Sequence, residues 1–283
     1  MKIIVKNLEK SFGKHKALEN LSVRFERGIY GILAPNGAGK TTLLRCITGI
    51  YEPENGAIGF VDAQGELCFP KANTIGYLPQ KFGIFKNMSV QDFMLYFAQM
   101  KGIEKSRQEM EMEKCLQLVN LEDCIKKKVK KLSGGMVRRL GIAQALLGNP
   151  EILIFDEPTT GLDPEERMRF KRILAQLGKE KTIIISTHIV EDIEAVCDKV
   201  IIMKHGKKVL EESTKKITDH MKSYIYELNE ADLNNVKSDY RILKIYNKNN
   251  LLTNRIMSRE KLQYEEVEAV LEDVYYEYVS WEE

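Results

Sequence analysis

Hydrophobic and polar residues alternate over the first 30 positions, as in the apolar series Leu21, Val23 and Phe25. This two-residue period predicts antiparallel strands with a turn near Gly13. Residues 28–33 then form a continuous apolar run typical of a buried strand, followed by a glycine-rich loop and by the period of a helix over residues 41–47. The start of the chain therefore predicts an antiparallel β subdomain that leads into a strand, a loop and a helix.

The middle of the chain changes pattern twice. Residues from about 85 to 131 have a helical pattern rich in Met, Lys and Glu, which predicts an inserted helical subdomain. Apolar runs at residues 152–155 and 183–185 then alternate with helical stretches from about Pro164 and Val190. Such alternation is typical of an α/β fold with a parallel-sheet core.

The alternation of strands and helices is lost after about residue 215. We therefore expect one domain over residues 1–215 and a small C-terminal α+β accessory region over residues 216–283. The last 20 residues carry eight acidic side chains and no Lys or Arg. We interpret them as an amphipathic terminal helix that covers its own small domain or docks on another surface, with one apolar face made of Val267, Val270, Leu271, Val274 and Tyr278.

Composition is that of an ordinary soluble globular protein, with 43% hydrophobic and 30% charged residues. A formal net charge of +2 provides no cationic excess for a nucleic-acid backbone, so we expect no nucleic-acid partner and interpret the lysine-rich residues 126–131 as a solvated surface. The five cysteines lack the spacing of a zinc site or a redox pair. Because no signal peptide and no long apolar stretch occur, we expect a cytoplasmic protein that meets the membrane only through a partner.

A phosphate-binding loop, or P-loop, is predicted at residues 34–42, between the buried strand and the next helix. In such a loop, backbone N–H groups and the positive end of the helix hold the phosphates, Lys40 reaches the β- and γ-phosphates, and the Thr41 hydroxyl binds Mg²⁺. Ala34 departs from the pattern, which has glycine there, and adds little strain if its φ is negative. The predicted nucleotide-binding residues are Asn36, Gly37, Ala38, Gly39, Lys40, Thr41 and Thr42.

Two carboxylates, Asp156 and Glu157, follow the apolar run 152–155. In an α/β sheet, the carboxyl end of such a strand lies beside the phosphate-binding loop. We therefore expect Asp156 to hold Mg²⁺ and Glu157 to polarise the water that attacks the γ-phosphate. Two acids after a strand are often only a solvated turn, and it is the P-loop at residues 34–42 that favours the catalytic interpretation.

The segment Leu132-Ser133-Gly134-Gly135-Met136 lies about twenty residues before these acids and resembles LSGGQ, the signature of the ABC ATPase family. The resemblance covers residues 1–215 and implies the P-loop NTPase fold of ABC type, with ATP and Mg²⁺ as ligands. It also implies a head-to-tail dimer in which each ATP lies between the P-loop of one subunit and the signature of the other. Ser133, Gly134 and Gly135 would meet the nucleotide at the start of a helix. Met136 departs from the family's glutamine.

Four further positions match family residues singly. Phe12 matches the aromatic residue that stacks on adenine, and Gln80 matches the glutamine that senses Mg²⁺ and the attacking water. Asp163 matches the residue that crosses the dimer interface, and His188 matches the histidine that contacts the γ-phosphate. The resemblance thus implies two groups, the catalytic residues Glu157, His188, Gln80 and Lys40 and the metal-binding residues Thr41, Gln80 and Asp156.

These expectations describe an ATP-hydrolysing subunit that pairs with a second ATPase subunit and powers a separate membrane permease from the inner face of the cell membrane. The permease is expected to dock near Gln80 and residues 81–100, with Phe82, Phe85 and Met88 as apolar anchors. Residues 270–276 are similar to the terminal segment of the bacterial branch that exports drugs and antimicrobial peptides, which favours export.

Two alternatives stay open. The first is a non-transport ABC ATPase acting on ribosomes or DNA, which the single cassette and the short spacing between Lys40 and Asp156 disfavour. The second is a module that binds nucleotide without hydrolysing it, which Glu157 and His188 disfavour.

Overall fold

The computed structural model describes residues 1–62 and 64–281. Within these residues the strands, in chain order, are β1 (Lys2–Phe12), β2 (His15–Phe25), β3 (Gly28–Leu33), β4 (Asn55–Val61), β5 (Leu67–Cys68), β6 (Ile75–Leu78), β7 (Ile152–Asp156), β8 (Thr182–Thr187), β9 (Lys199–Lys204), β10 (Lys207–Ser213), β11 (Tyr224–Asn229), β12 (Tyr240–Lys248) and β13 (Leu251–Ser258). The α-helices are α1 (Lys40–Ile47), α2 (Val90–Met100), α3 (Lys105–Leu118), α4 (Gly134–Leu146), α5 (Pro164–Leu177), α6 (Val190–Glu194), α7 (Glu230–Leu233) and α8 (Leu271–Ser280). None of these described helices has both the length and the apolar character needed to cross a membrane.

The first sheet is antiparallel, with strand order β2-β1-β4-β5. β1 and β2 join at a tight turn in which Gly13 has a φ of 60°, a left-handed conformation that glycine adopts without strain. Ile3, Val5 and Val23 on these strands are buried in a core that extends to β3 and α1. The predicted antiparallel β subdomain and its turn are therefore confirmed.

The central sheet has strand order β10-β9-β3-β8-β7-β6 and is parallel except at β10. All residues of β7 and β8 are buried, as expected for strands covered on both faces. Because neighbouring parallel strands end at the same edge, the residues that follow β3, β6, β7 and β8 meet there. The predicted parallel-sheet core is confirmed, and these four strand ends supply most of the predicted site.

Helices α2, α3 and α4 pack together and share one buried core with the central sheet. The helical pattern predicted from about residue 85 begins only at Val90, because Ser89 and Asp92 form a capping box. The Asp92 N–H donates to the Ser89 hydroxyl at 3.0 Å, and the Ser89 N–H donates to the Asp92 carboxylate at 3.4 Å. Before this cap the chain forms a turn in which the Met88 N–H donates to the carbonyl of Phe85 at 3.0 Å, and the Val129 N–H donates to the carbonyl of Met88.

The accessory region contains an antiparallel sheet, β11-β13-β12, and the terminal helix α8. The prediction for its apolar face was wrong for Val267 and Val270, because α8 begins at Leu271. Val267 donates its N–H to the carbonyl of Ile225 at 2.9 Å, so it extends the sheet. The Asp273 carboxylate accepts a hydrogen bond of 2.8 Å from the Val270 N–H and so fixes the helix start one residue later.

Helix α8 lies between the accessory sheet and the central part of the molecule. Leu271 and Val274 belong to the large buried cluster that also contains Ile193 of α6. Trp281, directly after the helix, packs with Ile225 of β11 instead. The terminal helix thus covers its own small domain and also docks on a second surface, while the domain boundary near residue 215 stays a prediction.

Candidate active site

The P-loop connects β3 to α1, which begins at Lys40. Gly39 precedes the helix with a φ of 97°, and a Cβ at this position would lie 2.3 Å from the carbonyl oxygen of Ala17. Only glycine fits there. Ala34 is fully buried and keeps a negative φ, so alanine in place of the expected glycine adds no strain.

A cleft of about 210 Å³ opens over this loop. The residues that line it are Phe12, His15, Ala17, Pro35, Asn36, Gly37, Ala38, Gly39, Lys40, Thr41, Thr42, Gln80 and Glu157. The structure therefore brings all the predicted nucleotide-binding residues of the P-loop, from Asn36 to Thr42, together with the predicted aromatic residue, glutamine and glutamate. A larger groove of about 460 Å³ between β1, β4 and β5 is mostly apolar and contains none of them.

Lys40 lies at the buried end of the cleft, where its Nζ donates to the carbonyls of Ala34 at 2.7 Å and Pro35 at 3.3 Å. Its Nζ also lies 3.5 Å from Glu157 Oε1, and both side chains are almost fully buried. Burial lowers the pKa of Lys40, and the nearby Glu157 carboxylate opposes that shift. The cleft therefore contains a buried cation and a buried carboxylate in contact.

Asp156 has one satisfied and one unsatisfied oxygen. Its Oδ1 accepts from the hydroxyls of Ser186 at 2.5 Å and Thr41 at 3.1 Å. Its Oδ2 is buried and has no hydrogen-bond partner within the described chain, which is costly for a carboxylate. Oxygen ligands from carboxylates and hydroxyls suit Mg²⁺, so Thr41 and Asp156 fit this ion.

Glu157, next to Asp156, is held by contacts with Lys40, Ser186 and His188. Its φ of 50° lies in the left-handed region, which costs a non-glycine residue about 1–3 kcal/mol and occurs mainly at functional sites. Its N–H donates to the carbonyl of Ser186 at 3.0 Å, and its carboxylate lies 3.0 Å from Nδ1 of His188. The His188 side chain is 47% exposed, so this histidine joins the buried carboxylate to the open side of the cleft.

Phe12 presents a ring that is half exposed at the mouth of the cleft. Tyr51 packs edge-on against this ring, with 5.3 Å between the ring centroids, and its hydroxyl accepts from Arg45 at 2.6 Å. Tyr51 was not predicted from the sequence, because it follows α1 and meets β1 only in the folded chain. A flat ring with one open face can stack on a base.

The signature and Asp163 do not line the cleft. Ser133 is the N-cap of α4, and its hydroxyl accepts from the Met136 N–H at 3.2 Å. Asp163 caps α5 in the same way, accepting from the Glu166 N–H at 2.9 Å. Both caps are exposed, and the Met136 side chain packs on the hydrophobic core. Gly134 and Gly135 open α4 beside Ser133, also outside the cleft. Two helix starts are thus available at the surface for a group from another molecule.

Comparisons with known proteins agree with this geometry. A sequence profile described as ABC transporter matches residues 18–160, just over half of the chain. The ABC transporter ATP-binding protein YxlF of Bacillus subtilis is 37% identical over 204 residues, covering 72% of this chain and 68% of that protein. The chain belongs to the ABC transporter ATP-binding family. The Nod factor export ATP-binding protein I of Burkholderia lata is 36% identical over 212 residues, covering 73% of this ABC subunit and 69% of that protein.

Solved ABC cassettes share the fold. The dimeric structure of the bacterial ABC transporter cassette MJ0796 matches with a TM-score of 0.66 at 24% identity, over 75% of this chain and 98% of the other. The cbiO1 subunit of Clostridium perfringens, part of the ABC transporter complex cbiONQ, matches with a TM-score of 0.64 at 28% identity, over 77% and 90%. The predicted P-loop NTPase fold of ABC type is confirmed.

Sequence reasoning missed several residues of this site. His15 and Ala17 line the cleft from β2, and Ser186 orients Asp156 from β8. Ser186 lies directly opposite Asp156 in the pairing of β7 with β8. The run Ser186-Thr187-His188 contained this signal, but it could be interpreted only once the strand order was known.

Proposed function

We propose that this ABC subunit hydrolyses ATP to ADP and phosphate and so powers a separate membrane permease. The observation that supports this most directly is the cleft in which Lys40, Gln80 and Glu157 meet above the P-loop. In this proposal Glu157 polarises the attacking water, while Lys40 and His188 stabilise the charge that develops on the γ-phosphate. The contact between Glu157 and His188 links the two roles.

Mg²⁺ is the second ligand in the proposal, and it would supply positive charge to the phosphate oxygens. Thr41 and Asp156 hold the ion, with Gln80 lining the same cleft. The hydroxyl of Ser186 fixes one oxygen of Asp156 and leaves the other, which has no partner in the described chain, for the ion.

A second ATPase subunit completes the site in this proposal. Ser133, Gly135 and Asp163 are displayed at two helix starts outside the cleft. Helix starts attract anions, because their N–H groups are free and the helix dipole is positive there. A second copy or a paralogue, placed head to tail, would bring these helix starts to the ATP held by the first P-loop.

The permease is proposed to dock on residues 81–100. Phe85 is 49% exposed and packs on Tyr96, which is 41% exposed, so these two rings offer an apolar surface. Phe82 is less suitable as an anchor than predicted, because its ring packs on the buried ring of Phe93 with 5.8 Å between centroids. Met88 is also partly covered.

Export is the proposed direction of transport, from the cytoplasmic side of the cell membrane. Several relatives, including the one from Burkholderia lata, are named as Nod factor export proteins. The similarity of residues 270–276 to the drug and peptide exporters supports the same direction, with a drug or peptide as the proposed cargo.

The proposed chemistry is tested by the substitution Glu157→Gln, measured as phosphate release at saturating Mg-ATP. Removal of a general base typically lowers the rate by about 100-fold or more, so turnover should nearly vanish while nucleotide binding persists. The matched control is Glu113→Gln, since Glu113 is exposed on α3, does not line the cleft and should leave the rate unchanged. A wild-type rate in Glu157→Gln would contradict the base assignment.

Coupling to transport needs a separate experiment. The chain, used as bait, should co-purify from membranes of its native host with a multi-spanning protein. Recovery of ribosomal or DNA-bound proteins without any membrane protein would contradict the proposed role in transport and would leave the proposed ATPase activity unaffected.

A further inference from the structure

Arg138 on α4 is a buried arginine that the proposed chemistry leaves unused, with only 8% of its surface exposed. Its guanidinium group makes five hydrogen bonds, all to backbone carbonyls. Nη1 donates to Pro79 and Gln80, both at 3.1 Å. Nε donates to Pro158 at 3.0 Å, and Nη2 donates to Asp156 at 2.8 Å and to Glu157 at 2.5 Å. Because an arginine side chain has five N–H donors, its hydrogen-bonding capacity is fully used.

The five carbonyls belong to two separate segments of the site. Residues 79–80 follow β6, and residues 156–158 end β7 and follow it. The side chains of Gln80 and Glu157 line the nucleotide cleft, whereas Arg138 does not. Arg138 therefore contacts the backbone of both segments without reaching the cleft itself.

We propose that Arg138 is a positioning residue that holds Gln80 and Glu157 in a fixed relation for hydrolysis, an inference that rests on the proposed ATPase activity. Glu157 has the left-handed φ of 50° described above, so its peptide needs support to keep that conformation. Ser186 holds its N–H and Arg138 holds its carbonyl. Loss of either support would let the carboxylate move, and a displacement of about 1 Å can lower a rate by about 100-fold.

The position of Arg138 on α4 adds a second consequence. Ser133 caps the same helix five residues earlier, at the surface proposed to meet the second subunit. The guanidinium group of Arg138 thus joins that helix directly to the backbone that follows β6 and β7. A change in the position of α4 on dimer closure would be transmitted to Gln80 and Glu157.

Two substitutions separate the hydrogen bonds from the packing. Arg138→Lys keeps the charge but has at most three donors from one nitrogen, so at least two of the five carbonyls lose their donor. Arg138→Met keeps an apolar stem and has no donor. The matched control is Arg255→Lys in the accessory region, where a similarly covered guanidinium binds Asp273 and Glu227 away from the cleft.

Steady-state ATPase kinetics on the full-length variants give the first readout, with melting temperature as the check of folding. We expect kcat to fall about 10-fold or more in Arg138→Lys and further in Arg138→Met, with KM for ATP changed less than about threefold, because the P-loop is untouched. Arg255→Lys should lower the melting temperature with kcat within about twofold of wild type. A kcat loss in Arg255→Lys equal to that in Arg138→Lys, or unchanged kcat in both Arg138 variants, would overturn the proposal.

Hydrogen exchange gives a readout that does not depend on activity. The amides of Gln80, Lys81, Asp156, Glu157 and Thr159 should exchange faster together in whichever Arg138 variant folds, and not in Arg255→Lys. Unchanged exchange in both segments would refute the role of Arg138 even if wild type proved unable to hydrolyse ATP. Faster exchange in both segments, with no phosphate release by wild type, would instead support the structural link and remove the ATPase proposal.

Discussion

Leu271 offers a direct test of how the accessory region is attached. Its side chain is 3% exposed at the start of α8 and belongs to the same buried cluster as Ile193 of α6. Its N–H donates to Glu194 Oε1 at 3.2 Å, and burial raises the pKa of the Glu194 carboxyl. The substitution Leu271→Ala removes the packing and keeps this backbone hydrogen bond, so any effect measures the apolar contact.

The expected loss of stability follows from the burial. Leucine-to-alanine changes at buried sites cost about 2–5 kcal/mol, from lost transfer free energy and from the cavity left behind. Alanine is a slightly better helix former than leucine, so helix propensity adds nothing to the loss. We expect about 3 kcal/mol for Leu271→Ala. Val270→Ala is the control, because Val270 is 42% exposed and should cost about 0.5 kcal/mol or less.

Urea unfolding followed by two signals measures the effect. Trp281 is the single tryptophan of the chain, 7% exposed against the accessory sheet, so its fluorescence reports on the region around α8. Far-UV circular dichroism reports on all helices and strands. With a denaturant slope of about 3 kcal/mol/M, a loss of about 3 kcal/mol lowers the fluorescence midpoint by about 1 M urea.

The comparison of the two signals decides the outcome. In wild type the transitions should coincide, because the shared cluster makes α8 and the central sheet one cooperative unit. In Leu271→Ala the fluorescence transition should occur at a lower urea concentration than the circular dichroism transition. If Leu271→Ala shifts the midpoint no more than Val270→Ala does, the docking of α8 on the central part contributes no stability and the reasoning fails.

Two further predictions concern stability. Gly76→Ala should destabilise the fold by about 3 kcal/mol or more, since its Cβ would lie 2.1 Å from the carbonyl oxygen of Ala145. Gly83→Ala is the control, because its Cβ would meet nothing within 4 Å. Equal melting temperatures for the two variants would contradict the prediction. Burial lowers the pKa of Lys101 from 10.5 to about 8. The unfolded chain then binds more protons between these values, so the free energy of unfolding should rise with pH, by about 3 kcal/mol in total. Lys101→Met should lack this rise in urea titrations at pH 8 to 10.5, and parallel pH profiles would refute it.

The sequence predicts the P-loop well, because Gly39, Lys40 and Thr41 are neighbours and their geometry is local. The start of α4 at Ser133 could be predicted equally well, since a serine cap acts within one turn of the helix. The roles of Ser186 and Arg138 could not be predicted from the sequence, because their partners lie 18 to 59 residues away along the chain and are brought near only by the strand order. Local geometry is therefore encoded in the pattern, and contacts across the sheet edge are not.

The error at the terminal helix has a similar cause. Val267 and Val270 fit a helical period, and so does the rest of the stretch. The helix nevertheless begins only at Leu271, because Val267 is hydrogen-bonded to Ile225 and Asp273 caps the helix through the Val270 N–H. The period places both valines on the apolar face of a helix, but Val267 is half-buried beside β11 and Val270 is 42% exposed at the helix cap. Periodicity does not report where a helix begins.

The strand order also explains why one chain can hold a nucleotide without completing the proposed reaction site. The ends of β3, β6 and β7 line one cleft, and the end of β8 supplies His188 beside it. The starts of α4 and α5 lie outside that cleft, because Ser133 and Asp163 use their side chains to cap their own helices at the surface. No rotation of a side chain brings a helix start into the cleft. In the proposed dimer the remaining N–H groups come from a second subunit, and the guanidinium group of Arg138 is the contact through which the position of α4 would reach the catalytic backbone.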